Sequence, residues 1–312
     1  MNYQNKKLFK SLRENTIFGI KFYFRAVSTS YFIPKLSRFI NKYLYLIGLA
    51  SSLNRYDNSL TLYSSFSDKK LYSDYSKSDK FINFGSGAFF HNRWKNYDYP
   101  GQSSYYKSLQ GKQDRDFNPI DLCNENLIIP ELDESIKLIY CSHTLEHLDK
   151  ASSLRFISEC HRILVKGGVM RVALPNTKND FYLLRCLMKQ HNVLDSVIKN
   201  YAQDASPRIL FDSKYLDYDK LMELLREAAF ESKAVYEALI KKYPKMSLFD
   251  GNKPERHINY WDFDNLADVM YEAGFEATIP TYQASSVASP FCNLHVFDTT
   301  EPHASIYADI IK

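Results

Sequence analysis

Residues 80–98 read KFINFGSGAFFHNRWKNYD, and residues 136–148 read IKLIYCSHTLEHL. Each stretch opens on a short apolar run of β-branched and aromatic residues, too brief for a helix and bounded by turn formers, so each reads as a buried strand. The first run, Lys80–Phe84, closes on Gly85-Ser86-Gly87. The chain holds only ten glycines in 312 residues, so a pair around one serine marks backbone that a side chain would obstruct. A second run, Trp94–Tyr97, leads into Asp98. A third, about Asp114–Ile120, leads into Asp121-Leu122, and the fourth, Ile136–Cys141, ends at Ser142-His143. Helical spacing follows over about Ala151–Leu164, with Leu154, Ile157, Cys160 and Leu164 on one face, and Lys166-Gly167-Gly168 is expected to stop that helix. A fifth run, Val169–Leu174, ends at Pro175-Asn176. Short apolar runs alternating with helical stretches signal βαβ units and a parallel sheet.

Towards the C-terminus, Asp262 or Asp264 is placed to cap a helix running to about Ala273, which Gly274 ends. Two β-rich runs, Phe275–Tyr282 and Ser305–Ile311, complete the sheet. Residues 177–256 read as a mostly helical insertion, clearest at Leu221–Ile240. Towards the N-terminus, Phe32, Leu36, Phe39, Ile40, Tyr43 and Ile47 recur at helical spacing with Lys35, Arg38 and Lys42 between them. That pattern predicts an amphipathic helix over 31–49, and the Ser, Asp and Asn of 51–79 predict a loop. The expected organisation is a basic, aromatic, helical extension over 1–79 and an α/β domain over 80–312 carrying the 177–256 insertion.

Composition excludes a disordered tail, a collagen and a coiled coil, since 45% of residues are apolar and 24% charged. Five Cys without a CxxC pair argue against a zinc site and for reduced thiols in the cytoplasm. The first residues lack the continuous apolar core of a signal peptide, and no apolar run approaches the roughly 18 residues of a membrane span. Charge is uneven. Residues 1–46 carry nine Lys/Arg and one acid, whereas the remainder carries 31 bases and 35 acids. A mildly acidic body argues against nucleic acid as a partner. The basic leader reads either as a solvated helix face or as a site of peripheral contact with a membrane surface.

Taken in order, these segments resemble the class I S-adenosylmethionine-dependent methyltransferases of the broad type 11 kind. The segments are Phe81–Gly87, Asp98, Asp121-Leu122, Ser142–Leu148, Glu159–Gly168, Ala173–Asn176 and Glu272–Phe275. Trp94-Lys95-Asn96-Tyr97-Asp98 and Ser142-His143-Thr144-Leu145-Glu146-His147 look like the subgroup associated with bacterial surface-polysaccharide synthesis. The resemblance implies a Rossmann-like, seven-stranded, mostly parallel sheet with an antiparallel C-terminal strand. It also implies S-adenosylmethionine as cofactor and a small-molecule or glycan acceptor. Two departures stand out. Phe89 occupies the place of the family's third glycine, and only six residues separate Gly87 from Trp94. A parallel crossover ordinarily needs a dozen or more residues. The first crossover helix is therefore a single turn or absent, the leader helices are expected to cover the bared sheet face, and Phe89, Phe90 and His91 are expected near cofactor or acceptor.

On this reading the cofactor site is built from Phe84, Gly85, Ser86, Gly87, Asp98, Asp121, Leu122 and Ser142. Asp98 would accept from the ribose hydroxyls, Asp121 from the adenine amino group, and the Leu122 backbone would cap the ring edge. Asp98 and Asp121 equally suit a turn or a cap. A hydroxyl acceptor must lose a proton, and histidine is the ordinary base near neutral pH. His143 is the first candidate and His257 the second, while His161 lies on an apolar helix face and reads as structural. His143, Glu146 and His147 also have the spacing of a divalent-metal site. The leading expectation carries no metal. It is O-methylation of a sugar or glycan precursor, and the alternative is an inactive methyltransferase-like scaffold. The chain lacks the Asn/Asp-Pro-Pro-Tyr signature of exocyclic-amine methylation.

Overall fold

The computed structural model describes residues 19–23, 39–41, 43–54, 59–87, 89, 91, 93–100, 117–176, 258–259, 261–300 and 305–312. In chain order the strands and helices are β1 (Gly19–Tyr23), β2 (Leu49–Asn54), β3 (Ser59–Ser64), α1 (Ser65–Leu71), β4 (Lys80–Phe84), β5 (Trp94–Asp98), β6 (Phe117–Pro119), β7 (Ile136–Ser142), α2 (Lys150–Ile163), β8 (Leu164–Pro175), α3 (Phe263–Glu272), β9 (Ala277–Thr281) and β10 (Ser305–Ile311).

The two runs that open the sequence reading lie side by side at the centre of a seven-stranded sheet ordered β6-β5-β4-β7-β8-β10-β9. β6, β5, β4, β7 and β8 run parallel. β10 is antiparallel to both β8 and β9. The Rossmann-like sheet with one antiparallel C-terminal strand therefore stands as expected. Every residue of β4 after Lys80 is buried, because the strand is covered on both faces. Alternation divides it. Ile82 and Phe84 face a core with Phe156, Ile157, Cys160 and Ile163 of α2 and Leu266, Val269 and Met270 of α3. Phe81 faces a second, aromatic core with Trp94, Tyr140, Tyr72, Phe291 and Phe297.

No helix fills the crossover between β4 and β5 among the described residues. The face this leaves open is covered by Leu71 and Tyr72, at and just after the end of α1, and by Ala288, Phe291 and Phe297 of the β9–β10 connection. The expected docking of the leader there is corrected in part, since Phe39 and Ile47 stand exposed. The loop expected over 51–79 is corrected too: it holds most of β2, β3 and α1. With β1 they form an antiparallel sheet ordered β1-β3-β2 rather than an all-helical extension. Small and polar residues fill LASSLN and SLTLYS, which hides the period-two alternation. Ala50 and Tyr63, cross-strand partners, are nevertheless buried. Residues 39–41 and 43–47 retain helical turns, and Gly48, at φ +81°, turns the chain into β2.

α2 begins at an Asp149 cap, whose carboxylate accepts from Ser152 N–H at 2.8 Å, and ends one residue before β8. The glycines expected to stop α2 lie inside β8 instead. Gly167 (φ +69°) donates its N–H to the Lys312 carbonyl at 2.6 Å, and Lys312 N–H donates to the Gly168 carbonyl at 3.2 Å. A Cβ on Gly168 would lie 2.8 Å from the Val165 carbonyl oxygen, so the pair serves a tight bulge that receives the C-terminus. α3 starts with a capping box between Asp262 and Asn265, and Gly274 follows it at φ +96°. No helix among the described residues is long and apolar enough to cross a membrane. The insertion over 177–256 lies outside the described residues.

Candidate functional site

The carboxyl ends of β4, β5 and β7 meet at one edge of the sheet, the edge where ligands bind in open α/β sheets. β4 leaves the sheet at Gly85 (φ +63°) and Gly87 (φ +50°), both in the left-handed region that glycine alone enters freely. A Cβ on Gly85 would lie 1.9 Å from Thr144 Oγ1. Gly85 thus lets β4 and the end of β7 close on one another. Thr144 Oγ1 lies within hydrogen-bond distance of the Phe84 (3.4 Å) and Ser142 (3.2 Å) carbonyls. Ser86 is buried and its N–H donates to the Tyr97 carbonyl at 3.4 Å.

Asp98, at the end of β5, turns its carboxylate to this glycine turn. Oδ2 accepts from Gly87 N–H at 2.6 Å and Oδ1 from Tyr99 N–H at 2.8 Å. Asp121 forms an Asx turn, Oδ1 accepting from Cys123 N–H at 2.9 Å. Both acids therefore hold local backbone, and at both a carboxylate stands at the strand-end edge. Leu122 is buried in the core, so its part in any site falls to its backbone. The Phe84 ring is likewise core, stacked on Tyr97 at 5.4 Å. Ser142 is the last residue of β7.

His143 follows at φ +50°, with its N–H donating to the Ala173 carbonyl at 2.8 Å. This kink directs the imidazole towards Glu146. His143 Nδ1 lies 3.1 Å from Glu146 Oε1, and Glu146 is buried while His143 is a quarter exposed. The sequence reading took Glu146 only as an alternative metal ligand. The i, i+3 spacing across the one-turn helix Leu145–His147 is the signal that pairs it with His143. His147 Nε2 is 4.0 Å from the same oxygen. Among the described residues no group of three or more His, Cys, Asp or Glu is placed to hold a metal ion. The Glu146 carbonyl accepts from Ile258 N–H at 2.8 Å and from Asn259 N–H at 3.0 Å. That brings the segment ahead of α3 to the end of β7, although His257 itself lies outside the described residues.

Two expectations near the glycine turn are corrected. Phe89 packs in the aromatic core, 5.5 Å from Phe297 and 6.2 Å from Trp94. His91 is buried, with Nδ1 accepting from Arg93 N–H at 3.2 Å and Nε2 at 2.7 Å from Asp68 Oδ2. Both turn towards the face that lacks a crossover helix, where packing rather than a ligand uses them; Phe90 lies outside the described residues. His161 is structural as expected, edge-on to Phe275 at 5.1 Å, and burial together with nearby Lys312 lowers its pKa.

Residues 101–172 match the model of a family described as "Methyltransferase domain". The chain carries a methyltransferase domain. The matched segment spans β6, β7, α2 and the first part of β8, and includes Asp121, Leu122, Ser142 and His143. Its cofactor is S-adenosylmethionine. The residues present fit that group through the glycine turn at the sheet edge and the carboxylate acceptor beside it at Asp98. No curated protein matches the sequence. Among solved structures, the chain is similar to an S-adenosylmethionine-dependent methyltransferase of Thermotoga maritima at 15% identity, covering 89% of this chain and 98% of that one, with a TM-score of 0.37. It is also similar to an S-adenosylmethionine-dependent methyltransferase of Archaeoglobus fulgidus at 13% identity, covering 79% and 93%, with a TM-score of 0.38. A third, from Mesorhizobium loti, is 10% identical over 78% and 96%, with a TM-score of 0.34. Likeness at this level says nothing of the acceptor.

Proposed function

We propose that this methyltransferase acts on a hydroxyl of a sugar or glycan precursor, with His143 as the general base. The observation that carries the reading is the His143–Glu146 pair at the end of β7. Glu146 Oε1 stands 3.1 Å from Nδ1, and we assign it a positioning role like that of the carboxylate in a hydrolase triad, with Nε2 as the nitrogen that takes the proton. S-adenosylmethionine, when bound, supplies an already activated methyl carbon. His143 Nε2 would take the proton from the acceptor hydroxyl. Gly85, Gly87 and Asp98 would hold the methyl donor, and the alignment of donor and acceptor would contribute through proximity.

The sugar class rests on the resemblance of Trp94–Asp98 and Ser142–His147 to the polysaccharide-associated subgroup, an argument by analogy. Aromatic residues of the insertion, among them Phe181, Tyr182 and Tyr201, supply rings of the kind that stack on sugars. His257, outside the described residues, is the second candidate base. Free thiols at Cys123, Cys141, Cys160 and Cys292 suit a reducing, cytoplasmic setting.

The test is to incubate the full-length protein with S-adenosylmethionine and a panel of nucleotide sugars and oligosaccharides, reading O-methyl products by mass spectrometry. His143→Ala should lower turnover by roughly 10²–10⁴-fold, with cofactor affinity little changed. Glu146→Gln should lower kcat by a smaller factor. Full turnover in His143→Ala would remove the base assignment. Methylation confined to amines or thiols would remove the hydroxyl acceptor.

A further inference from the structure

We propose that the surface built by Phe39, Tyr43, Leu46, Ile47 and Phe66 seats this protein on an anionic membrane. Leu46 is 81% exposed, Ile47 69% and Phe66 63%, and Phe39 and Tyr43 are exposed beside them. These residues are neighbours. The Phe39 and Tyr43 rings meet edge-on at 5.3 Å, and Leu46 and Ile47 lie in the one-turn helix that follows. The Phe66 ring lies over Gly48, where a Cβ would stand 1.9 Å from it. Ile20 and Phe22, two apart on β1, are exposed as well. Single exposed apolar residues are ordinary on a protein surface, but a contiguous group of large ones marks a contact.

Charge selects the partner. Lys69 Nζ sits 5.0 Å over the Phe66 ring, and Lys70 is exposed next to it on α1. Residues 1–46 carry nine bases and one acid, while the rest of the chain has 31 bases and 35 acids. In the sequence, the apolar residues 39–47 thus close a basic segment, in a chain whose remainder has the opposite sign. The protein's own sheet does not take this surface, because the face bared by the short crossover is already filled by Tyr72, Phe291 and Phe297. A second copy, meeting it across a two-fold axis, would bring the like charges of Lys69 and Lys70 together. An anionic bilayer satisfies both features, with the rings and aliphatic chains at the headgroup boundary and the lysines among lipid phosphates.

The full-length protein is sedimented with vesicles of one part phosphatidylglycerol to three parts phosphatidylcholine, and with vesicles of phosphatidylcholine alone. It should bind the anionic vesicles at least tenfold more tightly, and high salt should weaken that binding. Leu46→Asp/Ile47→Asp changes only exposed positions and should bind at least tenfold more weakly, with an unaltered thermal transition. Lys69→Glu/Lys70→Glu, exposed on α1, should weaken binding to anionic vesicles alone and serves as the second variant. No sedimentation with either vesicle, equal binding to both, or unchanged binding in both variants would overturn the proposal. So would a dimer in light scattering that Leu46→Asp/Ile47→Asp dissociates while the wild type ignores vesicles. None of these readouts depends on methyl transfer, so the acceptor assignment and the membrane assignment fail separately.

Discussion

Gly85 and Gly167 share a left-handed backbone but not an environment. A Cβ on Gly167 meets nothing within 4 Å, whereas on Gly85 it meets Thr144 Oγ1 at 1.9 Å. Gly167→Ala should therefore lose only the conformational strain, about 1 kcal/mol in urea unfolding, and Gly85→Ala about 2–3 kcal/mol or more. Equal losses would show that Thr144 yields without penalty. The glycine motif was legible in the sequence because glycine is so scarce in it. Thr144 was not, because its importance comes from the crossing of two strands that the sequence does not place side by side. His143 was legible by position at a strand end, but its orientation by Glu146 needed the one-turn helix to be seen. Asp98 shows the limit from the other side: the sequence offered a turn role and a ligand role, and its carboxylate makes the turn bonds at the very edge where the ligand would sit.

At the scale of elements, the loop before β7 is clamped to α2 by Arg162. Its guanidinium donates to both Glu159 oxygens at 2.8 Å, to the Ile129 and Glu131 carbonyls and to Asp133. Glu159 also accepts from Ile129 N–H at 2.7 Å. The hydrogen bonds from Arg162 hold the Glu159 carboxyl below its usual pKa, against the opposing effect of burial. A carboxylate with a depressed folded-state pKa stabilises the fold above its unfolded value, about 4.3, and loses that contribution as pH falls through the folded value. Glu159→Gln should thus be less stable than wild type by about 1–2 kcal/mol at pH 7, with the gap closing below about pH 4. A gap constant from pH 7 to pH 3 would contradict the pairing. The strands of the main sheet were legible where apolar runs are long, as in Ile136–Ser142. β2 and β3 were not, since serine and asparagine dominate them and the Tyr63 that anchors them packs on His295 at 4.8 Å, a contact between distant segments.

At the scale of the whole molecule, the missing crossover helix is compensated by the β9–β10 connection, and Arg171 ties that connection down. Arg171 on β8 is fully buried and pairs with Asp309 on β10 at 2.9 Å and with Asp298 at 2.5 Å. It also donates to the Ser285 and Tyr282 carbonyls and to Thr281 Oγ1. Arg171→Met would leave two buried carboxylates without their cation and should destabilise by about 3–5 kcal/mol. Restoration of most of that loss in Arg171→Met/Asp298→Asn/Asp309→Asn would confirm charge as the cause, and a loss under 1 kcal/mol in the single variant would refute it. The sequence foretold a bare sheet face but assigned its cover to the leader, because hydrophobic spacing identifies an apolar face without saying what it meets.

The donor site we propose is the sheet edge where Gly85, Gly87 and Asp98 converge. Calorimetric titration of S-adenosylmethionine into the full-length protein and into Asp98→Ala tests it most directly. Micromolar binding in the wild type, weakened by about 1.5–3 kcal/mol or roughly 10–150-fold in Asp98→Ala, is the predicted result. Absence of binding heat in the wild type, or an affinity indifferent to Asp98, would contradict it.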